Sequence, residues 1–373
     1  MEVVAPVHLS FPAPEMPRKA VLRAGCRAFP CRPVHGMMDA FSRSCLPRHE
    51  ARDARVRIDR PCPSRRIQMN RLLVPLDGSA LAETALPVAL GLARRFGAEL
   101  HLASVVSDLP PVPLAAGDGE LITRWFDAEE KRASEYLSKV VEGLSVGEAG
   151  GVETHVRSGP VARTLQAIAD DLDVSMVVMT THGRGAWQRA WLGSVADVMI
   201  RQVRRPVLLL RERDAGSLSA TGSPKKVVVP LDGSAAAEVV LDALSAMVEP
   251  GITEVELVLV LQEPMPMATS YLPHAVAEGG LMEARKERAR EYMETVRSRL
   301  ADAGHRVESR IIPAGDAGHG ILQHLERSGA DMVALSTRGR GGAARLMLGS
   351  VADKVIRSSS VPVLVTRRAG EEE

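Results

Sequence analysis

The chain repeats itself. Leu72-Leu-Val-Pro-Leu-Asp-Gly-Ser79 returns 155 residues later as Val227-Val-Val-Pro-Leu-Asp-Gly-Ser234, and Leu192-Gly-Ser-Val-Ala-Asp197 returns 156 residues later as Leu348-Gly-Ser-Val-Ala-Asp353. Near-constant spacing over two distant motifs requires duplication of a whole folding unit. The 373 residues therefore hold two domains of roughly 140–145 residues, each large enough to bury its own core.

Within the first copy the pattern alternates between strand and helix. Leu72–Leu76 is a short apolar run suited to a strand covered on both faces, and Leu81, Ala85, Val88, Leu92 and Phe96 then recur at helical spacing. Leu100–Val106, Val152–Val156, Val174–Thr180 and Val207–Leu210 are predicted as further strands, with helices over Glu120–Leu144, Val161–Asp171 and Val195–Gln202. Five strands thus alternate with four helices. The second copy repeats this with strands near 226–231, 254–261, 306–312, 331–336 and 362–366. Short connections between alternating elements argue for an α/β fold in which a parallel sheet carries helices on both faces. Ligands of such sheets bind beyond the carboxyl ends of the strands, where strand order reverses.

The segments outside the repeats differ in kind. Residues 1–68 hold 9 of the 24 prolines, 13 Lys and Arg against 6 Asp and Glu, and no sustained periodicity. Such a segment cannot offset its ordering entropy by burial and is expected to be disordered. Met69 stands directly before the first strand, so translation beginning there is one reading and a basic regulatory tail is the other. All four cysteines, Cys26, Cys31, Cys45 and Cys62, lie in this segment at irregular intervals, which favours unpaired thiols over a metal site. Residues 213–224 are Gly/Ser-rich and read as a linker between domains at 69–212 and 225–368; residues 369–373 form an acidic tail. Formal net charge is +1 overall, and with +7 on residues 1–68 the duplicated body carries −6. A mildly acidic body offers no field for gripping nucleic acid or an anionic membrane. No stretch approaches the ~20 uncharged apolar residues of a membrane span, and the N-terminus lacks a secretory apolar run. A cytoplasmic location is expected.

Two places in each copy carry chemistry. Asp77 and its repeat mate Asp232 directly follow the first strand. Asp-Gly-Ser is good turn chemistry, and a carboxylate there is also placed to accept hydrogen bonds from a ligand's amine or hydroxyls. The second place is Met179-Thr-Thr-His-Gly-Arg-Gly-Ala-Trp-Gln-Arg-Ala-Trp-Leu-Gly-Ser194, which ends the fourth strand, turns at Gly183 and Gly185, and enters a helix at Gly193-Ser194. Amides at a helix start lack intrahelical acceptors, and glycine lets an anion approach them closely. Ser194 acting merely as an N-cap is the alternative.

The spacing Gly183-x9-Gly193-Ser194 with His182-Gly183-Arg184, followed by the strand Pro206-Val-Leu-Leu-Leu210, resembles the signature of the universal stress protein family. Gly339-x9-Gly349-Ser350 and Pro362-Val-Leu-Val365 match it again. With Val74-Pro-Leu-Asp-Gly-Ser79, the resemblance covers residues 71–211 and 226–367, a tandem member. It implies two doubly wound domains, each a five-stranded parallel sheet of order 3-2-1-4-5, in which the first and fourth strands are neighbours. In ATP-binding members the aspartate after the first strand contacts the nucleoside, matching Asp77 and Asp232, and a valine near the end of the second strand touches adenine, matching Val105 and Val260. The Gly-x2-Gly-x9-Gly-Ser/Thr loop wraps the phosphates, matching Gly183, Gly193 and Ser194, then Gly339, Gly349 and Ser350. Both copies depart from the pattern at its first glycine, where Thr180 and Ser336 stand. His182 is replaced by Arg338 in the second copy, so that position is not a shared catalytic group. Arg184 and Arg340 are placed either to pair with phosphates or to remain solvated.

The expected function is nucleotide-dependent sensing or regulation in stress response. ATP, or AMP or a cyclic nucleotide, would bind in one or both domains, with Mg on the phosphates. The loop lacks Gly-x4-Gly-Lys-Ser/Thr and an acidic cluster, so an enzyme is not expected beyond slow ATP hydrolysis. The rival reading is a nucleotide-independent scaffold for unidentified protein partners. Family dimers pair through the last strand, so Val207–Leu210 and Val363–Val365 would meet in an intramolecular pseudo-dimer, open to further homodimerisation, with apolar edges covered.

Overall fold

A computed structural model describes residues 68–107, 119–144, 149–181, 192–211, 218, 223–262, 275–337 and 348–367. Short runs of branched apolar residues form the central strands, and the outermost strand of each repeat mixes them with charged residues. In the first repeat the strands are β1 (Arg71–Pro75), β2 (Glu99–Val106), β3 (Val152–Ser158), β4 (Met176–Thr180) and β5 (Val207–Leu210). The second repeat supplies β6 (Lys226–Leu231), β7 (Glu254–Gln262), β8 (Arg306–Ala314), β9 (Met332–Ser336) and β10 (Val363–Thr366). The first repeat's helices are α1 (Ala80–Glu83), α2 (Leu86–Phe96), α3 (Gly119–Gly143), α4 (Val161–Asp171) and α5 (Ser194–Gln202). Those of the second are α6 (Ala235–Met247), α7 (Ala275–Asp302), α8 (Ala317–Ser328) and α9 (Ser350–Ser358).

Leu72, Leu73 and Val74 are all fully buried, which a strand achieves only when helices cover both faces. Alternate residues therefore enter different layers. Leu72, Val74, Met176 and Leu208 pack with Leu92 of α2 and Leu137 of α3. Leu73, Val177 and Leu209 pack with Ile168 of α4 and Met199 of α5. Each layer continues into the second repeat, through Leu244 and Met293 on one face and Ile321 and Val355 on the other.

All ten strands form one sheet of order β3-β2-β1-β4-β5-β10-β9-β6-β7-β8, so each half follows the expected 3-2-1-4-5. Pairing is parallel within each half, and the halves join antiparallel, with Leu364 opposite Leu208. Each last strand thereby covers the other's open edge. Beside this seam Asp197 pairs with Arg201 at 2.8 Å and with Arg357 of the other repeat at 3.1 Å, while Arg357 also reaches Asp353 at 2.9 Å. Arg211 donates to the carbonyls of Ile356, Arg357 and Ser359 at the end of α9, and its repeat mate Arg367 donates to the Arg201 carbonyl in α5. Guanidinium groups on C-terminal carbonyls satisfy acceptors that the helix itself leaves unpaired.

One expectation needs correction. Among the described residues the first repeat has five helices where four were predicted, because the first is broken at Thr84–Ala85 into α1 and α2. Pro87 removes an amide and crowds the preceding turn. The second repeat has Asp242 there, and α6 runs unbroken from Ala235 to Met247. The chain before residue 68, residues 212–217 and 219–222, and the tail after residue 367 lie outside the described residues.

Candidate functional site

The turn after β1 is built by its own side chains. Asp77 Oδ1 accepts the Ser79 amide at 3.0 Å, and Ser79 Oγ accepts the Ala82 amide at 3.1 Å, capping α1. The second copy repeats both bonds, at 2.9 Å from the Ser234 amide to Asp232 Oδ1 and 3.2 Å from the Ala237 amide to Ser234 Oγ, and adds the Ser234 hydroxyl on Asp232 at 2.6 Å. Gly78 and Gly233 between them hold φ of +79° and +82°, a region closed to most side chains. The turn role of Asp77 is thus real. It engages a single oxygen of an exposed carboxylate.

Register decides what surrounds this turn. β1 pairs with β2 from Arg71–Glu99 to Pro75–Ala103, and the same step brings Asp77 level with Val105. β1 pairs with β4 at Leu72–Met176, which brings Leu76 level with Thr180. In the second repeat Lys226–Glu254 and Val227–Met332 bring Asp232 level with Val260, and Leu231 level with Ser336. In each half the aspartate, the valine and the hydroxyl residue therefore collect at the carboxyl ends of three adjacent strands. Val105 and Val260 are half-buried against the layer under α4 and α8. Because β5 and β10 run antiparallel, the carboxyl ends of the two halves point in opposite directions, and the two sites are separate.

The helix after the fourth strand starts at the same end, since a parallel crossover must leave β4 at its carboxyl end and return to the amino end of β5. In the second repeat the return is held by the Gly349 amide, which donates to the Thr337 carbonyl at 3.0 Å. The N-caps are Gly193 and Gly349, neither helix has a side-chain cap, and Ser194 and Ser350 are exposed first helical residues. The alternative in which Ser194 caps the helix is thereby corrected: the chain turns helical one residue too early for its hydroxyl to reach back. Ser79, Ser234 and Asp316 cap their helices with side chains, and α2 and α4 also start without one, so what sets α5 and α9 apart is the glycine at the cap. A Cβ on Gly349 would meet only the Thr337 carbonyl, at 3.5 Å, so folding does not require glycine there. Ser336 Oγ is buried at this end of β9 without a hydrogen-bond partner among the described residues. Gly183, Arg184, Gly339 and Arg340 lie outside the described residues.

A tyrosine stands behind each turn, which the sequence reading missed. Tyr136 of α3 donates to Glu83 of α1 at 3.0 Å. Burial pushes its hydroxyl well above the ordinary range, and the charges of Glu83 and Asp77 add to this. Tyr292 of α7 occupies the matching place; burial raises it most, then Glu238 and Asp232. Glu238 is engaged by Arg299 at 2.6 Å. The signal was available, since Tyr136 and Tyr292, like Glu83 and Glu238, recur at the repeat spacing.

A carboxylate beside uncapped helix amides can take a ligand that offers hydroxyl or amine donors at one end and an anion at the other. Among the described residues, no helix is long and apolar enough to cross a membrane. The universal stress protein family matches this chain twice, over residues 69–211 and 224–367. A universal stress protein of Mycolicibacterium smegmatis is 29% identical over 313 residues, covering 79% of this chain and 96% of that one. One of Mycobacterium tuberculosis is 27% identical over 306 residues, covering 80% and 96%. The crystal structure of a universal stress protein from Archaeoglobus fulgidus has the same fold, with a TM-score of 0.59 at 20% identity, covering 82% of this chain and 99% of that one.

Proposed function

This chain belongs to the universal stress protein family, and from that premise we propose that each repeat binds ATP or a related adenine nucleotide and that occupancy regulates partner choice in stress response. The observation carrying this reading is the twofold convergence of an Asp-Gly-Ser turn and an uncapped glycine helix start on neighbouring strands. Asp77 and Asp232 accept hydrogen bonds from the nucleoside, and Val105 and Val260 lie against the base. Amides at Gly193-Ser194 and Gly349-Ser350 hold phosphate oxygens, and Gly183, Arg184, Gly339 and Arg340 are the further residues assigned to phosphate binding from the sequence. Thr180 and Ser336 stand where the family's first glycine would be, and the orphaned Ser336 hydroxyl fits a site that receives a polar ligand atom. Mg would accompany the nucleotide and offset the charge of its phosphates. The repeats act as two domains, 69–212 and 225–368, joined by the linker 213–224. Fast turnover is not part of the reading, because the loop sequence lacks the Gly-x4-Gly-Lys-Ser/Thr arrangement and an acidic cluster.

The antiparallel seam favours a second reading, a nucleotide-independent scaffold. In this reading β5 and β10, the Asp197–Arg357 pair and the two arginine caps hold the halves together as an intramolecular pseudo-dimer. Mass spectrometry of small molecules released on denaturing the purified chain, followed by calorimetry with ATP, AMP and a cyclic nucleotide, separates the readings. Released or titratable adenine nucleotide supports the first. No nucleotide and no heat at millimolar ATP leaves the scaffold.

A further inference from the structure

At the outer edge of the first repeat, away from the carboxyl ends, β2 and β3 bring together His101, Glu153 and His155. Register sets His101 opposite Glu153, and His155, two residues on, shares the same face of the sheet. His101 Nδ1 lies 3.0 Å from His155 Nε2 and 3.5 Å from Glu153 Oε2, and the last two atoms are 3.9 Å apart. A tetrahedral ion with bonds of about 2.0–2.1 Å separates its ligand atoms by roughly 3.3–3.4 Å, and the three distances bracket that edge length.

The protons point the same way. A single N–H···N bond between neutral rings would satisfy the two facing nitrogens, and the exposed Glu153 carboxylate lies beside both of them. His101 is 2% exposed, and its Nε2 is buried with no hydrogen-bond partner. That nitrogen sits 3.6 Å from Glu99 Oε2. With Nδ1 given to a metal, Nε2 carries the proton and faces a carboxylate, the outer arrangement that fixes metal-bound histidines.

The second repeat places Glu256, Glu308 and Arg310 at the matching positions. There the buried Glu256 carboxylate takes Arg310 at 2.8 Å and Lys226 at 3.1 Å. Where the second copy supplies its own cations, the first offers two imidazoles and a carboxylate. We propose that His101 Nδ1, His155 Nε2 and Glu153 Oε2 bind a divalent transition ion of the zinc type, its fourth position open to water, clipping the outer strand β3 to β2. The site stands apart from the nucleotide reading and does not depend on it.

Chelator-treated full-length chain, free of nucleotide, is titrated with Zn2+ by calorimetry and with Co2+ by visible spectroscopy. The expected result is one equivalent with the intense bands of tetrahedral nitrogen and oxygen ligation, and a melting temperature that rises with Zn2+. Replacing Cys26, Cys31, Cys45 and Cys62 together by serine leaves that signal in place. His155→Ala and Glu153→Gln each weaken uptake by more than about tenfold, since losing even an outer-shell partner costs about 10–100-fold. Their metal-free melts and circular dichroism verify that they fold, and Glu153→Gln alters an exposed side chain. Absence of uptake by the parent chain overturns the proposal. So does uptake that survives both variants, or that shows sulfur-to-cobalt charge transfer and vanishes with the cysteines.

Discussion

Replacing both Gly193 and Gly349 by alanine tests the phosphate cradle with little cost to the fold. Gly349 has φ −62° and ψ 144°, and Gly193 has φ −56° and ψ 147°, conformations that alanine adopts freely. The new methyl at Gly349 meets one carbonyl oxygen at 3.5 Å, an ordinary contact. Alanine is a poorer N-cap than glycine, whereas it lowers the entropy of the unfolded chain; the two effects oppose, and the net change at Gly349 is within about 1 kcal/mol. On the proposed reading a phosphate oxygen would occupy the space of the new methyl beside the helix amides, so binding would have no such compensation. Losing one charge-assisted bond of about 1.5–3 kcal/mol weakens binding roughly ten- to hundredfold. Calorimetry with ATP measures the affinity, and melts without nucleotide measure the fold. Since the two proposed sites lie at opposite ends of antiparallel half-sheets, either single variant should weaken one of the two equivalents by that factor and leave the other unaltered. ATP affinity unchanged in a well-folded double variant would refute the cradle.

Asp77→Asn with Asp232→Asn keeps an oxygen to accept the Ser79 and Ser234 amides while removing the charge. Stability should move by less than about 0.5 kcal/mol and ATP affinity fall about tenfold, since charge-assisted bonds are roughly twice as strong as neutral ones; unchanged calorimetric affinity would confine both aspartates to turn-making. At the seam, Arg211→Ala and Arg367→Ala each remove guanidinium donors from helix carbonyls and should cost about 1–2 kcal/mol, read as a lower urea midpoint at unchanged slope. The hydrogen bond from Arg201, with Arg357 adding, holds the Asp197 carboxyl below its ordinary range. A depressed carboxylate stabilises the fold above its unfolded value, about 3.9, and that contribution is lost as pH falls through the folded value. Thermal melts of the parent chain and Asp197→Asn should therefore differ at neutral pH and converge in acid, and a gap persisting into strong acid would rule out the ionic account.

Most of the fold was legible in consecutive residues. The duplicated Val-Pro-Leu-Asp-Gly-Ser run located both first strands and their turns, and uninterrupted branched residues such as Val207–Leu210 could only be strands covered on both faces. Pro87 was visible as well, yet an apolar spacing that continues across it concealed the break in the first helix. Periodicity, turn chemistry and repetition are properties of neighbours along the chain. Tertiary structure alone decided the rest: the levels of Asp77, Val105 and Thr180, the arginines crossing the seam, the tyrosines behind the turns, and two imidazoles 3.0 Å apart though 54 residues separate them. Those meetings are set by strand register and by the direction in which the two half-sheets join, and no short stretch of residues carries that information.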